Sequence, residues 1–243
     1  MSVEFAPLLI EPAYRRVAAA IGARILSREL RVGERLPPEV QLARQFGVNR
    51  STLREALREL ESRGLVQRHP GSKLLSVSRP PQRAVARGVS HALLLHDATV
   101  RDVWEALTIL EPPLTAVAAR ERTDRDLAEF EAAAAAFRAD QADTDLAVQR
   151  AADVFRSIGR AAHNPVLALA QEPLLQLLEP SLRVMIDKVP QARSRIASAH
   201  RHLGESLAAG DAERAHGWMA RHIRDFRRGY EIAGIGLGLR LSL

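Results

Sequence analysis

The sequence predicts a mainly α-helical protein with an N-terminal winged helix-turn-helix, made of three helices and a β-hairpin wing, and an all-α bundle of six or seven helices. A helix–glycine turn–helix pattern followed by a short alternating hairpin predicts the first part. Ala/Leu/Glu/Arg-rich segments with helical spacing predict the second. We expect domains at residues 1–79, with a core at about 12–79, and at 86–233, joined by a linker at 80–85 and followed by a tail at 234–243.

Composition limits the class of protein. The chain has 243 residues, enough for two modest domains, and 47% of them are apolar. No apolar run is long enough to span a bilayer, and the N-terminus lacks the basic region of a signal peptide. There is no cysteine for disulfides or thiolate metal sites. We therefore expect a cytoplasmic protein that does not bind a membrane.

The positive charge is unevenly placed along the chain. Residues 1–79 hold 14 Arg and Lys against 8 Asp and Glu, whereas residues 80–243 hold 21 of each. The formal net charge of +6 therefore lies entirely in the predicted helix-turn-helix part. A basic module of this kind is typical of proteins that bind a polyanion such as DNA.

The elements of the first domain follow from amphipathic spacing and from punctuation residues. Helices are predicted at residues 14–27 and 38–46, and Gly47 makes the turn after the second of them. Asn49 is a good N-cap for a third helix, which Gly64 ends. Two strands, at residues 65–68 and 74–77, then form the wing.

The third helix carries arginines every four residues on its polar face. Arg50 and Arg54 lie near its start and can reach base edges, where an arginine pairs bidentately with guanine O6 and N7. Hydroxyl groups and the wing are better placed for phosphates. The predicted DNA-contacting residues are Arg35, Asn49, Arg50, Ser51, Thr52, Arg54, Arg58, Gly71 and Lys73. The alternative is that these arginines form the solvated face of an ordinary helical bundle.

These motifs resemble a known family. G-E-R-L-P-P-E-x-x-L-A at residues 33–43, F-G-V-N-R-S-T-L-R-E-A-L-R-x-L at 46–60 and G-L-V at 64–66 are similar to the winged-helix domain of GntR-type bacterial transcription regulators. The resemblance covers residues 12–79 and implies binding to double-stranded DNA. Val40 departs from the pattern, because some members have a DNA-contacting arginine there.

The second part is predicted as helices at residues 100–120, 124–138, 146–162, 165–178, 191–209 and 211–232. Segments at 106–123, 163–167 and 208–223 resemble the FadR-type (FCD) effector domain of the same regulators. This resemblance implies a homodimer on a palindromic operator, acting as a repressor. It also implies a small-molecule effector bound in the helical domain.

Many members of this family bind Zn, Ni or Mn through one aspartate and three histidines. His200 and His222 match two of these four positions, but the other two are Ala151 and Phe155. Asp153 lies close by at the wrong helical register. We therefore expect no cofactor, with a divalent metal held by His200 and His222 as the alternative.

The effector pocket is expected to be more apolar than is usual in the family. Carboxylate-binding members commonly have an arginine on the first long helix, where this chain has Leu107, Thr108 and Ile109. The predicted pocket residues are Thr108, Phe155, His200, Trp218 and His222. An apolar or acyl ligand follows as a hypothesis, although such residues at helical spacing also form plain core.

Several alternatives stay open at this point. One is a ligand-insensitive dimer, or one that binds DNA without sequence preference, with a vestigial sensor domain. Another is a metal-dependent regulator that senses a carboxylate. An enzyme is not expected, because no catalytic pattern stands out and the length excludes a fused aminotransferase domain. The Gly/Leu-rich tail at residues 234–243 is expected to be a disordered end, or else a segment that packs on a partner subunit.

Overall fold

The computed structural model describes residues 11–69, 71, 74–140 and 143–242. It divides into two compact units, Met1–Pro81 and Gln82–Leu243. The first helix of the second unit begins at Gln82. Residues 82–85 of the linker expected at 80–85 are therefore helical, since the chain enters a helix directly after Pro80 and Pro81.

The first unit contains three helices and a two-stranded antiparallel sheet in its described residues. They are α1 (Ala13–Leu26), α2 (Glu39–Phe46), α3 (Arg50–Ser62), β1 (Val66–Arg68) and β2 (Leu75–Val77). Gly47 ends α2 in the left-handed conformation with φ 64°, which glycine adopts without steric cost. Arg35 forms a bridge with Ser76, so the segment before α2 extends the wing sheet. The predicted winged helix-turn-helix is confirmed.

The core of this unit comes from the apolar stripes of its helices. The side chains of Leu53 and Leu60 on α3 are fully buried, and they pack with Ile21 on α1 and Leu42 on α2. Val66, at the start of β1, closes this core. Because the stripe on α3 is buried at helical spacing, its other face is left to solvent.

The second unit is all α-helical in its described residues. Its helices are α4 (Gln82–Leu95), α5 (Val100–Glu121), α6 (Asp124–Ala139), α7 (Thr144–Ala161), α8 (Pro165–Lys188), α9 (Ala192–Ala208) and α10 (Ala212–Ala233). α5 packs mainly against α10, and α7 lies between α6 and α8. α9 packs on α10 and α6, and α4 on α8. In the described part of the chain, no helix is both long enough and apolar enough to cross a membrane.

α8 is longer than the sequence predicted. The predicted helix ended at residue 178, whereas α8 continues to Lys188 through the internal prolines Pro173 and Pro180. A proline removes one helical hydrogen bond and usually ends or kinks a helix. Here Leu182 and Ile186 continue the buried stripe beyond Pro180, so tertiary packing outweighs the local cost.

In the described part of the C-terminal tail, residues 234–242, the backbone is hydrogen-bonded to the start of α5, so the expected disordered end is wrong. The amides of Val100 and Arg101, at the start of α5, donate to the carbonyls of Leu239 and Leu237 at 3.0 and 2.9 Å. The Leu241 amide donates to the Ala98 carbonyl at 3.0 Å. The tail therefore packs on its own chain. Its carbonyls accept hydrogen bonds from the first amides of α5, which have no partner within the helix.

Candidate functional site

The exposed face of α3 carries the predicted DNA-contacting arginines. Arg50, Arg54 and Arg58 are all exposed, while Leu53 and Leu57 between them are buried. The i, i+4 spacing places the three guanidinium-bearing side chains along one side of the helix. The structure thus presents a row of cations on a helix that the unit's core holds in place.

The start of α3 is fixed by a side-chain cap. The Asn49 Oδ1 atom accepts a hydrogen bond from the Thr52 amide at 2.8 Å and one from the Ser51 hydroxyl at 2.7 Å. This cap stabilises the helix end whose dipole is positive and therefore favourable for a phosphate. Because Oδ1 of Asn49 is used within the protein, a DNA contact by Asn49 has to come from its side-chain NH₂ group.

Arg54 is held by a carboxylate whose role the sequence did not predict. Glu39, the first residue of α2, accepts a hydrogen bond from Arg54 Nε at 3.0 Å through Oε2. Its other oxygen lies 3.8 Å from a terminal nitrogen of Arg68 on β1. The only signal in the sequence is that Glu39 belongs to the G-E-R-L-P-P-E motif, and this does not indicate a contact with α3.

The remaining predicted DNA contacts lie around the wing. Arg35 is exposed beside β2, and Gly71 is exposed with φ 77°. Lys73 lies outside the described residues. Val40 is half exposed on α2, so its surface position agrees with that of the arginine it replaces in some family members, but its side chain cannot donate.

In the helical unit, the two predicted histidines meet in the core. His200 on α9 and His222 on α10 are 1% and 2% exposed, with ring centroids 5.7 Å apart. The Phe155 ring stacks on His222 at 5.6 Å, and Phe137 meets His200 edge-on at 4.9 Å. These four rings are called the histidine–aromatic cluster below.

Burial keeps both imidazoles neutral. It lowers the pKa of His222 to about 4, and it lowers the pKa of His200 well below its ordinary value, with a further contribution from His222. Within the described residues, neither nitrogen of His200 has a hydrogen-bond partner, nor does Nε2 of His222. Such partnerless buried nitrogens are rare in folded proteins.

The donor set in this cluster does not fit a divalent metal. A structural zinc site needs four N, S or O ligands, and a catalytic site needs three from the protein. Ala151 and Phe155 supply none, and Asp153 is directed to Arg150 and Arg156 at 3.6 and 3.1 Å. No group of three or more His, Cys, Asp or Glu residues suited to a metal occurs in the part of the chain that the structure describes.

A cavity of about 260 Å³ lies between α8, α9 and α10. Its apolar lining includes Met185, Ile196 and Phe226. Its polar lining includes His222 and the Arg195–Asp225 ion pair, whose N–O distance is 2.7 Å. Arg228 and Gln191 complete the polar part. The cavity can thus hold a small molecule with an apolar body and a polar or anionic group.

The structure does not bring all the predicted pocket residues to this cavity. His222 lines it, and His200 and Phe155 lie behind His222 in the cluster. Thr108 is exposed on α5 and donates to the Trp104 carbonyl, so it does not line this cavity. It belongs to the outer face because the buried stripe of α5 runs through residues 103, 107 and 111.

Trp218 is also away from the cavity. Its ring stacks on His202 with centroids 3.8 Å apart, and the Arg221 guanidinium lies 4.4 Å from its centre. Trp218 is one residue before the buried Met219, which takes the inward position on α10. Trp218 therefore does not line this cavity, and its role in an effector pocket stays a prediction.

A buried acid beside the cluster was not predicted. Glu111 on α5 is fully buried, and its Oε2 accepts from Gln171 Nε2 at 3.1 Å. The same nitrogen donates to the Phe155 carbonyl at 3.1 Å. Burial raises the pKa of Glu111 to about 8, so the carboxyl group is protonated at neutral pH. A glutamate on an otherwise apolar stripe is the only sequence signal for it.

Comparison with known proteins identifies both units. Residues 13–84 match the family described as "Bacterial regulatory proteins, gntR family", and residues 102–225 match the FCD domain. The "HTH-type transcriptional regulator LutR" of Bacillus subtilis is 26% identical over 220 residues, covering 85% of this chain and 97% of LutR. The "HTH-type transcriptional repressor NanR" of Edwardsiella tarda is 28% identical over 175 residues, covering 71% of this chain and 67% of NanR.

The fold agrees with a solved structure. "Streptococcus agalactiae GntR" superposes with a TM-score of 0.64 at 23% sequence identity, over 88% of this chain and 99% of that one. The matched family and these relatives are described as transcription regulators, which is the class of protein that the sequence predicted. Since the FCD match covers about half of the chain and follows a GntR match in order, the chain belongs to the GntR family of bacterial transcription regulators, in the FadR-type group with an FCD domain.

Proposed function

We propose that this regulator is a homodimeric, cytoplasmic repressor that binds a palindromic operator. The observation that carries the proposal is the capped helix α3, with three exposed arginines at i, i+4 spacing beside a wing. Two copies related by a two-fold axis would place their α3 helices in major grooves about one helical turn apart. The name of the relative NanR, a repressor, supports the sign of regulation.

The DNA contacts divide into two kinds. Arg50 and Arg54 read base edges, while Ser51 and Thr52 contact phosphate at the start of α3. The rest of the phosphate contacts come from the other predicted residues of the α3 face and the wing, namely Arg35, Asn49, Arg58, Gly71 and Lys73. Phosphate contacts set the register on the duplex and give the salt dependence of binding.

The test is an alanine substitution at the base-reading position. Arg54→Ala is expected to relax base preference at one operator position and to cost about 1–3 kcal/mol on the best-bound duplex. Binding of the full chain to a selected duplex and to single-base variants of it, at physiological salt, measures both. Arg58→Ala serves as the matched control, since loss of a phosphate contact weakens all duplexes about equally. If Arg54→Ala also weakened binding to all duplexes equally, Arg54 would not be a base-reading residue.

For the effector, we propose an apolar or acyl small molecule with one polar group, bound in the cavity between α8, α9 and α10. The apolar lining, the neutral His222 and the exposed Arg228 support this class of ligand. No metal is part of the proposal, because the donor set around His222 falls short of four ligands. The ligand would change operator affinity by stabilising one arrangement of the dimer.

Native mass spectrometry and metal analysis of the purified chain test the effector proposal. An apolar small molecule that co-purifies at one copy per subunit, without metal, supports the effector proposal. A stoichiometric divalent metal would favour a metal-dependent regulator that senses a carboxylate. A chain without either, whose operator affinity does not respond to added acyl compounds, would favour a vestigial sensor domain. The same spectra give the mass of the assembly and so test the dimer.

A further inference from the structure

Glu39 joins three elements of the DNA-binding unit through one carboxylate. It lies at the first position of α2, and its Oε2 accepts from Arg54 Nε on α3 at 3.0 Å. Its Oε1 lies 3.8 Å from a terminal nitrogen of Arg68 on β1. The Glu39 side chain is 27% exposed, against 55% for Arg54, so the carboxylate lies beneath the more exposed guanidinium.

This contact leaves one edge of Arg54 available. A guanidinium has five N–H donors in a fixed fork, and the Nε–H lies on its lateral edge, outside the end-on pair formed by the two terminal nitrogens. In the described residues, the two terminal nitrogens of Arg54 donate no hydrogen bond within the protein. These two nitrogens can form the end-on pair of hydrogen bonds with O6 and N7 of a guanine.

Taken alone, the negative charge of Glu39 weakens the attraction between this surface and DNA. The first 79 residues carry all of the net charge of +6, and a carboxylate in this surface repels phosphate. A second carboxylate, Glu61 on α3, lines the same shallow surface depression as Glu39 and Arg54 but has no ion pair within 4 Å in the described chain. The two glutamates therefore share a location and a charge, and differ in contact with Arg54.

We propose that Glu39 is a positioning residue for base recognition. It fixes Arg54 by its Nε atom, so that the terminal nitrogens face the groove before DNA arrives and less side-chain freedom is lost on binding. Glu39 thus increases the difference in affinity between right and wrong sequences, while its charge lowers affinity for all sequences. The inference rests on the proposed base-reading role of Arg54.

The experiment compares Glu39→Ala with Glu61→Ala in the full-length chain. Affinities are measured for a duplex selected from a random library, for the same duplex with the Arg54-dependent guanine replaced, and for a random duplex. For Glu39→Ala we expect the ratio of right to wrong affinity to fall about tenfold, while affinity for the random duplex rises about two- to threefold. For Glu61→Ala we expect the same rise on all three duplexes and an unchanged ratio.

A double-mutant cycle separates positioning from a structural role. In an Arg54→Ala background, Glu39→Ala should leave the affinity ratio unchanged, because the residue it orients is gone. Circular dichroism and thermal unfolding report whether each variant folds. Glu39→Gln, which keeps an acceptor for Arg54 Nε, should recover part of the ratio.

The outcomes distinguish the two proposals. If Glu39→Ala changes affinity for all three duplexes by one common factor, upward or downward, the positioning role is overturned while the proposed function stands. If the wild-type chain itself shows no base preference, the proposed function is overturned, and the role of Glu39 with it. The expected result combines a lower ratio of affinities, for the selected duplex over the substituted one, with a higher affinity for the random duplex. Neither misfolding nor a simple loss of charge produces this combination.

Discussion

At the scale of single residues, burial decides the chemistry of the helical unit. His200, His222 and Glu111 are ionisable groups on different helices, and all three are held neutral in the core at pH 7. Two neutral imidazoles with free nitrogens can donate or accept hydrogen bonds but add no charge. A ligand that reaches His222 therefore meets a polar, uncharged contact at that end of the cavity.

The raised pKa of Glu111 gives the stability a pH dependence of known sign. In the folded state the Glu111 carboxyl group keeps its proton up to about pH 8, whereas in the unfolded chain it loses the proton near the ordinary pKa of 4.5. Between these values the folded state binds more protons, so this contribution to stability is full below about 4.5 and is lost as pH rises to about 8.

Glu111→Gln should remove this dependence. The free energy of unfolding of the wild type should fall relative to the variant by up to about 1.4 kcal/mol per pH unit between these two pKa values. Urea unfolding at a series of pH values measures the difference in unfolding free energy between the wild type and the variant. Since both proteins contain His200 and His222, the contributions of these histidines cancel in that difference. Glu105→Gln, an exposed change on the same helix, should run parallel to the wild type. Parallel curves for Glu111→Gln as well would show that Glu111 is ionised in the folded state.

At the scale of elements, the start of α5 shows how contacts at a helix end add to stability. α5 begins with a capping box between Thr99 and Asp102, and the tail adds two carbonyl acceptors to the same helix end. Ile235 is buried, and Leu237 and Leu241 pack against the core. The tail therefore acts as a C-terminal clasp on the first long helix of its own unit.

Truncation after Gly234 should destabilise the helical unit by on the order of 2 kcal/mol, mainly through loss of the buried Ile235 and the hydrogen bonds to α5. Thermal unfolding followed by circular dichroism measures this. Deletion of residues 242–243 alone is the control and should have little effect, since the contacts of Ile235, Leu237 and Leu239 remain. An unchanged melting temperature after the longer truncation would mean that the tail adds nothing to stability.

The sequence predicted element types better than element ends. Helical spacing and cap residues predicted α3 almost to the residue, because Asn49 and Gly64 act locally. The course of α8 through Pro180 and the docking of the tail depend on distant side chains, and no local signal announces them. For the same reason the contact between Glu39 and Arg54 was missed, since it joins residues fifteen positions apart.

At the scale of the whole molecule, the two units have separate hydrophobic cores and carry different functional features. One is formed within the first 81 residues and the other within residues 82–243. The net positive charge belongs to the first, and the cavity to the second. The sequence alone predicted this division from its charge and its motifs. It could not place the cavity, whose walls come from three helices that only the tertiary structure brings together.

Independent cores predict independent folding. The fragment Gln82–Leu243 should remain helical and unfold cooperatively, with a melting temperature close to that of one transition of the full chain. It should also lose DNA binding, because it lacks α3 and the charge of +6. Calorimetry of the fragment and the full chain checks this. An unfolded fragment would contradict it and would show that the first unit is needed to fold the second.

The histidine–aromatic cluster has a consequence in evolutionary terms. By the family resemblance, the two missing metal ligands fall at Ala151 and Phe155, which lie one turn apart on α7, and both are buried. Replacing Ala151 with Asp and Phe155 with His would give this core the four metal donors that the resemblance implies. The helices that carry the four positions would stay the same, so the difference between the two kinds of core is confined to two side chains of α7.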